Sequence, residues 1–510
     1  MLDQRQLYQR GIKNTIDWWI VACYVMLTLF GIMNIYASVH SSEPNSIFDL
    51  TCNSGKQIIW TAGAYVIALL VLFLFNPHIW EVIAPPAYAI VQILLIAVIF
   101  LSSDVKGSHS WFKFGSVSFQ PAELSKITTS LFLALILSQQ NFKMSEPKHF
   151  AAVAAAILVP MATIVLESET GSALVYCAFI FMLYREGLSG WLLTLGGLII
   201  LLFILTLKFS TYTSLVALTI LVSLCCSSYR KRFKSWLTKE VPLLLFLAFL
   251  PRLWHALLNR LVPGADLAIA DVDPSVTDTV LKASQWSFLL PFRPMYLLGV
   301  LLAFIIIKAM IRAYEEKSLA LWSAVGAMII GITLTFSASF VFRDVLQDHQ
   351  RTRIEVLLGM KEDLAGAGYN VHQSMVAIGS GGVGGKGYLQ GTQTTYGFVP
   401  EQSTDFIFCT VGEEWGFLGC AFVIILYVII ILRLMRDADD CREAFTRVYG
   451  YCVAGILFMH LFINIGMTIG IMPVIGIPLP LFSYGGSSMW AFTTLIFIFL
   501  ALYRQEKKYF

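Results

Sequence analysis

The chain has 510 residues, of which 57% are hydrophobic and 13% charged, about half the charged share of a typical soluble domain. No soluble fold of this size covers so much apolar surface, and a net charge of +3 does not point to nucleic acid. The nine cysteines include no CxxC pair and no His–Cys cluster; most, such as Cys177, Cys225 and Cys226, lie in apolar runs, where packing is a better reading than metal ligation.

In chain order, apolar segments fall near 18–37, 57–75, 80–102, 120–138, 150–166, 172–184, 190–207, 211–227, 241–258, 294–311, 318–342, 404–432, 447–470 and 487–503. These are about fourteen runs of membrane-spanning type. Segment 172–184 is short, and 241–258 carries Pro251, Arg252 and His255. The expected fold is all-α, a polytopic membrane bundle of about 12–14 helices. Arg5, Arg10 and Lys13 precede the first run without a cleavable-leader pattern, so that run reads as an anchor with its N-terminus inside. Basic residues then alternate between loops. Arg230, Lys231, Arg232, Lys234 and Lys239 crowd 228–240, Arg433, Arg436 and Arg442 lie in 433–446, and Arg504, Lys507 and Lys508 end the chain, whereas 259–293 is acidic. The alternation predicts both termini in the cytoplasm and the long loop 343–403 outside.

That loop is the richest stretch for chemistry. It begins with His349, Gln350, Arg351 and Arg353, followed by Glu362 and Asp363. Arginine forks suit a diphosphate, and a nearby carboxylate can take a proton from a hydroxyl; a solvated charged loop is the alternative. The segment 366–387 is polar and glycine-rich, and reads as a long loop. Within it, Gly379, Gly381 and Gly384 fit GxGxxG but lack a βαβ setting, and a phosphate loop fails because Gly387 follows Lys386. Two readings remain open: a concavity whose N–H groups and Lys386 hold an anion, or a tight turn needing positive φ.

Carboxylates also stand at the ends of apolar runs. Glu123 and Lys126 are three apart and can pair on one helix face, with Pro121 fitting the first turn. Glu167 and Glu169 end another run before Gly171, and Asp405, Glu413 and Glu414 open a third. Each marks either a functional interior or a structural ion pair. The segment 472–488, rich in proline and glycine, predicts a re-entrant loop in which Ser483, Tyr484, Ser487 and Ser488 could line a groove for a polyprenyl chain or sugar. A helix cap is the other reading of Ser487.

Four ordered stretches carry a resemblance: GSHSWFKFGSVSFQPAELSKI; HQRTRI with EDLAGAGYNVHQSMVAIGSGGVGGKG; VPEQSTDFIFCTVGEEWGFLG; and PVIGIPLPLFSYGGSS. Together, over about 100–187 and 341–503, the chain resembles the SEDS family (shape, elongation, division and sporulation), and GYNVHQS and KGYLQGTQ look more like its rod-shape branch than its division branch. The resemblance implies a single membrane domain over 1–510, with 343–403 as an extracellular catalytic loop and 190–340 holding two extra helix pairs. It implies a peptidoglycan glycosyltransferase that polymerises lipid II at the outer face of the bacterial cytoplasmic membrane for cell elongation. Asp363 takes the place of the family's essential acid and would be the general base, its pKa raised by Glu362. Glu123, Lys126, Glu169, Arg351, Arg353, Gln373, Ser374, Lys386, Ser483 and Ser487 would bind substrate. A divalent cation, Mg or Mn, would share the work on the leaving diphosphate, with no organic cofactor. The implied partners are a class B penicillin-binding protein and other elongation-complex membrane proteins. Three positions depart from the family pattern: Leu364 for Pro, Ser110 for Arg, and Glu169 for Asp. A lipid II flippase or other transporter and a non-catalytic scaffold are the rival readings.

Overall fold

A computed structural model describes residues 15–39, 46–102, 110–114, 117–144, 146–229, 233–261, 294–346, 351–352, 354–355 and 367–509. The chain divides into two compact units, Met1–Gly190 with Thr352–Phe510, and Trp191–Arg351. Each of the apolar segments expected from the sequence is helical over most of its length, and nine helices among the described residues are long and apolar enough to cross a membrane. The protein is a multi-pass helical membrane protein.

In the first unit the helices are α1 (Trp18–Val39), α2 (Asn53–Leu69, with a π-helical turn to Leu74), α3 (His78–Leu101), α4 (Pro121–Leu137), α5 (Pro147–Leu166), α6 (Thr170–Val175) and α7 (Ala178–Arg185). A short antiparallel ribbon, β1 (Phe112–Phe114) with β2 (Val117–Phe119), precedes α4, a local addition to the all-α expectation. The short segment near 172–184 resolves into α6 and α7. The second unit holds α8 (Gly190–Lys208), α9 (Thr211–Tyr229), α10 (Phe233–Leu261), α11 (Pro294–Glu315) and α12 (Leu319–Phe340). It has its own core, with Leu202, Leu218, Leu247, Leu298 and Met328 buried together. There α10 runs unbroken through Pro242 and Pro251.

The first unit resumes with α13 (Ala367–Ser380), α14 (Thr392–Thr395), α15 (Ile407–Asp439), α16 (Ala444–Thr468) and α17 (Gly486–Tyr509). The helix α13 corrects the expectation of a long loop over 366–387. Its inward face, Ser374, Ala377 and Ile378 with Gly381 just beyond its end, has helical spacing but only one large apolar side chain, so hydrophobic periodicity does not mark it. Small residues let backbones approach: a Cβ on Gly412 of α15 would meet Ile378 Cγ1 at 2.8 Å.

The core of this unit is α16, packed against α15, α4 and α7. One end is tied by ion pairs. Arg447 makes a two-pronged contact to Glu186 at 2.9 and 3.1 Å, Arg185 meets Asp439, Arg433 meets Asp17 at 3.4 Å and Lys507 meets Asp440 at 3.9 Å. The start of α1 and the end of α17 therefore share one end of the unit. At the opposite end, Tyr388 donates to Met33 O and Gln402 to Ser38 O, which gathers the segments after α13 over the far end of α1. That end carries the candidate site.

Candidate functional site

The site begins with a charge that cannot stand alone. Pro121 occupies the first turn of α4, as expected, and Glu123 and Lys126 share the face that α4 turns inward. Lys126 Nζ lies 2.7 Å from Glu123 Oε1, and the side chains are 2% and 5% exposed. A third group, unforeseen from the sequence, completes the arrangement: His460 Nε2 of α16 is 2.9 Å from the same ammonium. Phe492 of α17 covers it at 5.0 Å. An ammonium has no lone pair, so Nε2 must accept, which puts the imidazole proton on Nδ1, 3.4 Å from Pro478 O. Alongside, Tyr176 donates to Ser125 Oγ at 2.8 Å, and Ser125 in turn to Ala122 O at 2.7 Å. No sequence rule singles out a lone histidine in an apolar run; only the packing of α16 on α4 reveals its role.

The turn after α5 holds the next pair of acids. Ser168 adopts φ +63° there, with Ser168 N bonded to Val165 O at 3.0 Å and Glu169 N to Ile164 O at 3.2 Å, a helix-ending Schellman arrangement. Ser110 Oγ donates to Glu169 Oε1 at 2.7 Å, so two of the departures from the family pattern touch each other. Glu167 is fully buried, and among the described residues neither of its carboxyl oxygens has a hydrogen-bond partner. Burial first, and then the neighbouring charge of Glu169, pushes Glu167 from its ordinary value of 4.5 up to about 8. In that window the folded chain binds more protons than the unfolded one, so this group's contribution to stability falls as pH rises from 4.5 to about 8. Glu167→Gln is therefore expected to raise Tm clearly at pH 8 and hardly at pH 5, as read by thermal melting in detergent. An equal shift at both pH values would contradict a buried, proton-holding carboxyl.

The glycine-rich segment 379–387 decides between its two readings. Gly382, Gly385 and Gly387 have φ of +58°, +79° and +106°. A Cβ on Gly381 would sit 2.0 Å from Gly412 O, and one on Gly385 2.1 Å from Glu414 O. The N–H groups of Lys386 and Gly387 bond to Glu413 O and Glu414 O at 3.0 Å each. The turn reading holds, and these amides are spent on protein carbonyls rather than on a bound anion. An anion is nevertheless cradled nearby, and it belongs to the protein. Glu413 Oε1 accepts from Lys386 Nζ at 2.7 Å and from Thr392 N and Gln393 N at 2.7 and 2.9 Å; Glu413 Oε2 accepts from Thr394 N and Oγ1, both at 2.9 Å. Lys386 is thereby paired with Glu413, and its ammonium also donates to Thr392 Oγ1 at 2.8 Å. Glu413→Gln strands several donors at once and should cost about 2–4 kcal/mol. Lys386→Met, at a side chain 26% exposed, should cost less. Melting of the two variants checks the order, and a larger loss for Lys386→Met would contradict it.

The re-entrant segment between α16 and α17 is non-helical over 471–485, as expected. Asn464, one turn beyond His460, donates to Asp405 O at 2.8 Å and Ile477 O at 2.7 Å. Ser483 Oγ donates to Thr404 O at 2.6 Å and accepts from Leu479 N at 2.9 Å, so it braces the segment. Ser487 lies inside the first turn of α17, after the capping position, and is half-buried. Ser374 is fully buried and donates to Thr468 O at 3.0 Å, which makes it a helix-packing contact; Gln373 beside it is half-buried. Arg351, in the second unit, donates through Nε to Phe342 O at 3.2 Å. Asp363, Glu362 and Arg353 lie outside the described residues. Among the described residues no three His, Cys, Asp or Glu side chains converge as metal ligands.

A bundle of membrane helices whose interior ion pair is roofed by proline- and glycine-rich segments defines a polytopic membrane protein with a polar site near one end of its helices. The chain matches the FtsW/RodA/SpoVE family model, described as "Cell cycle protein", over residues 17–242 and 295–508, and it belongs to that family. It is similar to peptidoglycan glycosyltransferase RodA of Treponema pallidum, with 30% identity over 486 residues that cover 94% of this chain and 95% of that protein. Peptidoglycan glycosyltransferase MrdB of Escherichia coli is 27% identical over 425 residues, covering 83% of this chain and 78% of the relative. A solved chain from a peptidoglycan synthase complex shares the fold, with a TM-score of 0.55 at 20% identity, covering 96% of this chain and 98% of that one.

Proposed function

We propose that this protein is a peptidoglycan glycosyltransferase that polymerises lipid II into glycan strands at the outer face of the bacterial cytoplasmic membrane, for cell elongation. The observation that carries the reading is the match to Treponema pallidum RodA along nearly the whole of both chains. The buried Glu123–Lys126 pair adds chemical support, because a fixed cation in a low-dielectric interior is suited to stabilising charge that develops on a departing diphosphate.

On this reading a sugar hydroxyl of lipid II attacks the anomeric carbon of the growing strand. The new glycosidic bond forms as the bond from that carbon to the phosphate oxygen breaks, and polyprenyl diphosphate leaves with the bonding electrons. The hydroxyl proton passes to the carboxylate of Asp363. A divalent cation would help neutralise the diphosphate. The partner on this reading is a class B penicillin-binding protein, which supplies the peptide cross-linking.

Purified protein given lipid II should make glycan polymer, and Asp363→Asn, at matched protein levels, should lose about 10²–10⁴-fold of that rate. Near wild-type output would remove Asp363 as the base and favour a flippase. The proposed orientation has its own test. In a Cys52→Ser background, needed because Cys52 is half-buried near the same end, an impermeant maleimide should label Gln390→Cys in intact cells. Arg442→Cys should react only after the membrane is opened; the reverse pattern would invert the topology.

A further inference from the structure

Lys126 is held from two sides, and the second side is unexplained by the pairing with Glu123. A carboxylate three residues away satisfies one N–H of the ammonium, at 2.7 Å. His460 takes another at 2.9 Å, and its own ring is steadied by Pro478 O at 3.4 Å and by an edge-on contact with Phe492, centroids 4.8 Å apart. Among the described residues Lys126 Nζ has two hydrogen-bond partners, with the Phe492 ring 5.0 Å away, and Glu123 Oε2 has none. The ammonium thus keeps one donor in reserve, and the direction of that donor is set by the two bonds already made.

We propose that His460 is a positioning residue: by accepting from Lys126 it fixes the ammonium so that the remaining N–H is presented to a phosphate oxygen of the polyprenyl diphosphate-linked substrate. The proposal rests on the glycosyltransferase reading above. Its physical basis is that a lysine side chain, with four rotatable bonds, holds a direction only when its head is bonded on more than one side. Glu123 is on the same helix as Lys126 and moves with it. His460 ties the ammonium to α16 and, through Pro478, to the re-entrant segment. The same face of α16 carries Asn464, bonded to Asp405 O and Ile477 O. Displacement of either flanking segment is therefore felt at the ammonium.

Two measurements separate this role from simple packing. His460→Phe keeps an aromatic ring against Phe492 but removes both nitrogens; His460→Gln keeps an oxygen that can accept from Lys126. In lipid II polymerisation, His460→Phe should lower kcat by about 10²-fold with KM little changed, because misplacement of a catalytic group costs about that much. His460→Gln should recover at least about tenfold of the loss. Wild-type kcat in His460→Phe, or no recovery in His460→Gln, would overturn the positioning role. The contact itself is read without any activity, by a melting cycle of His460→Phe, Lys126→Met and the double variant. A double variant no less stable than the worse single variant is the result expected of directly bonded partners, and additive losses in Tm would overturn the proposal. Wild-type protein that makes no polymer, together with a non-additive melting cycle, would refute the glycosyltransferase reading while leaving the Lys126–His460 contact in place.

Discussion

The organisation of this protein follows from a lysine ammonium that is 2% exposed in an apolar interior. A lone charge there is untenable, so every neighbouring element has to supply something to it. Glu123 neutralises it from the same helix, His460 accepts from α16, and Phe492 offers its ring face from α17. Three helices are thereby registered against one another through polar contacts, a specificity that apolar packing among lipid-like side chains does not provide by itself.

The same logic extends to the segments that roof this end of the bundle. Irregular backbone at or near membrane depth survives only when its N–H and C=O groups find partners within the protein. Side chains of α16 meet much of that demand: Asn464 bonds to two loop carbonyls and His460 faces a third, while Thr468 O receives Ser374. Ser483 closes the turn in which it sits. On the α15 side, Glu413 supplies a buried carboxylate to the N-terminal amides of α14 and to Lys386. A short helix start and a basic residue recognise an anion, but the anion is internal, and its effect is to weld the glycine-rich turn to α15.

Chemistry and architecture are thus divided between neighbouring polar groups that look alike in the sequence. Glu413 and Lys386 form a structural pair whose carboxylate has both oxygens occupied. Glu123 and Lys126 form an incompletely serviced one, with Glu123 Oε2 unpartnered among the described residues in a buried setting. Glu167 and Glu414, both buried and with neither carboxyl oxygen hydrogen-bonded among the described residues, are further acids that burial leaves in reserve. Residual hydrogen-bonding capacity inside a low-dielectric interior is costly, and groups that retain it are the ones suited to meeting a ligand.

Much of the fold was legible from residue order alone. Apolar runs located the helices, because a span needs its length in consecutive apolar residues. Pro121 marked the start of α4, and the three-residue spacing of Glu123 and Lys126 predicted their pairing. These are local signals, carried by residues close in the chain. What only the tertiary structure decided involves residues far apart: His460 with Lys126, Ser110 with Glu169, and Glu413 with the amides of 392–394. The helix α13 is hidden for a related reason: its inward face is mostly small, and it is recognisable only against the close approach of α15. Hydrophobic pattern states which residues leave water; which polar groups then meet is set by helix packing, which one-dimensional periodicity does not contain.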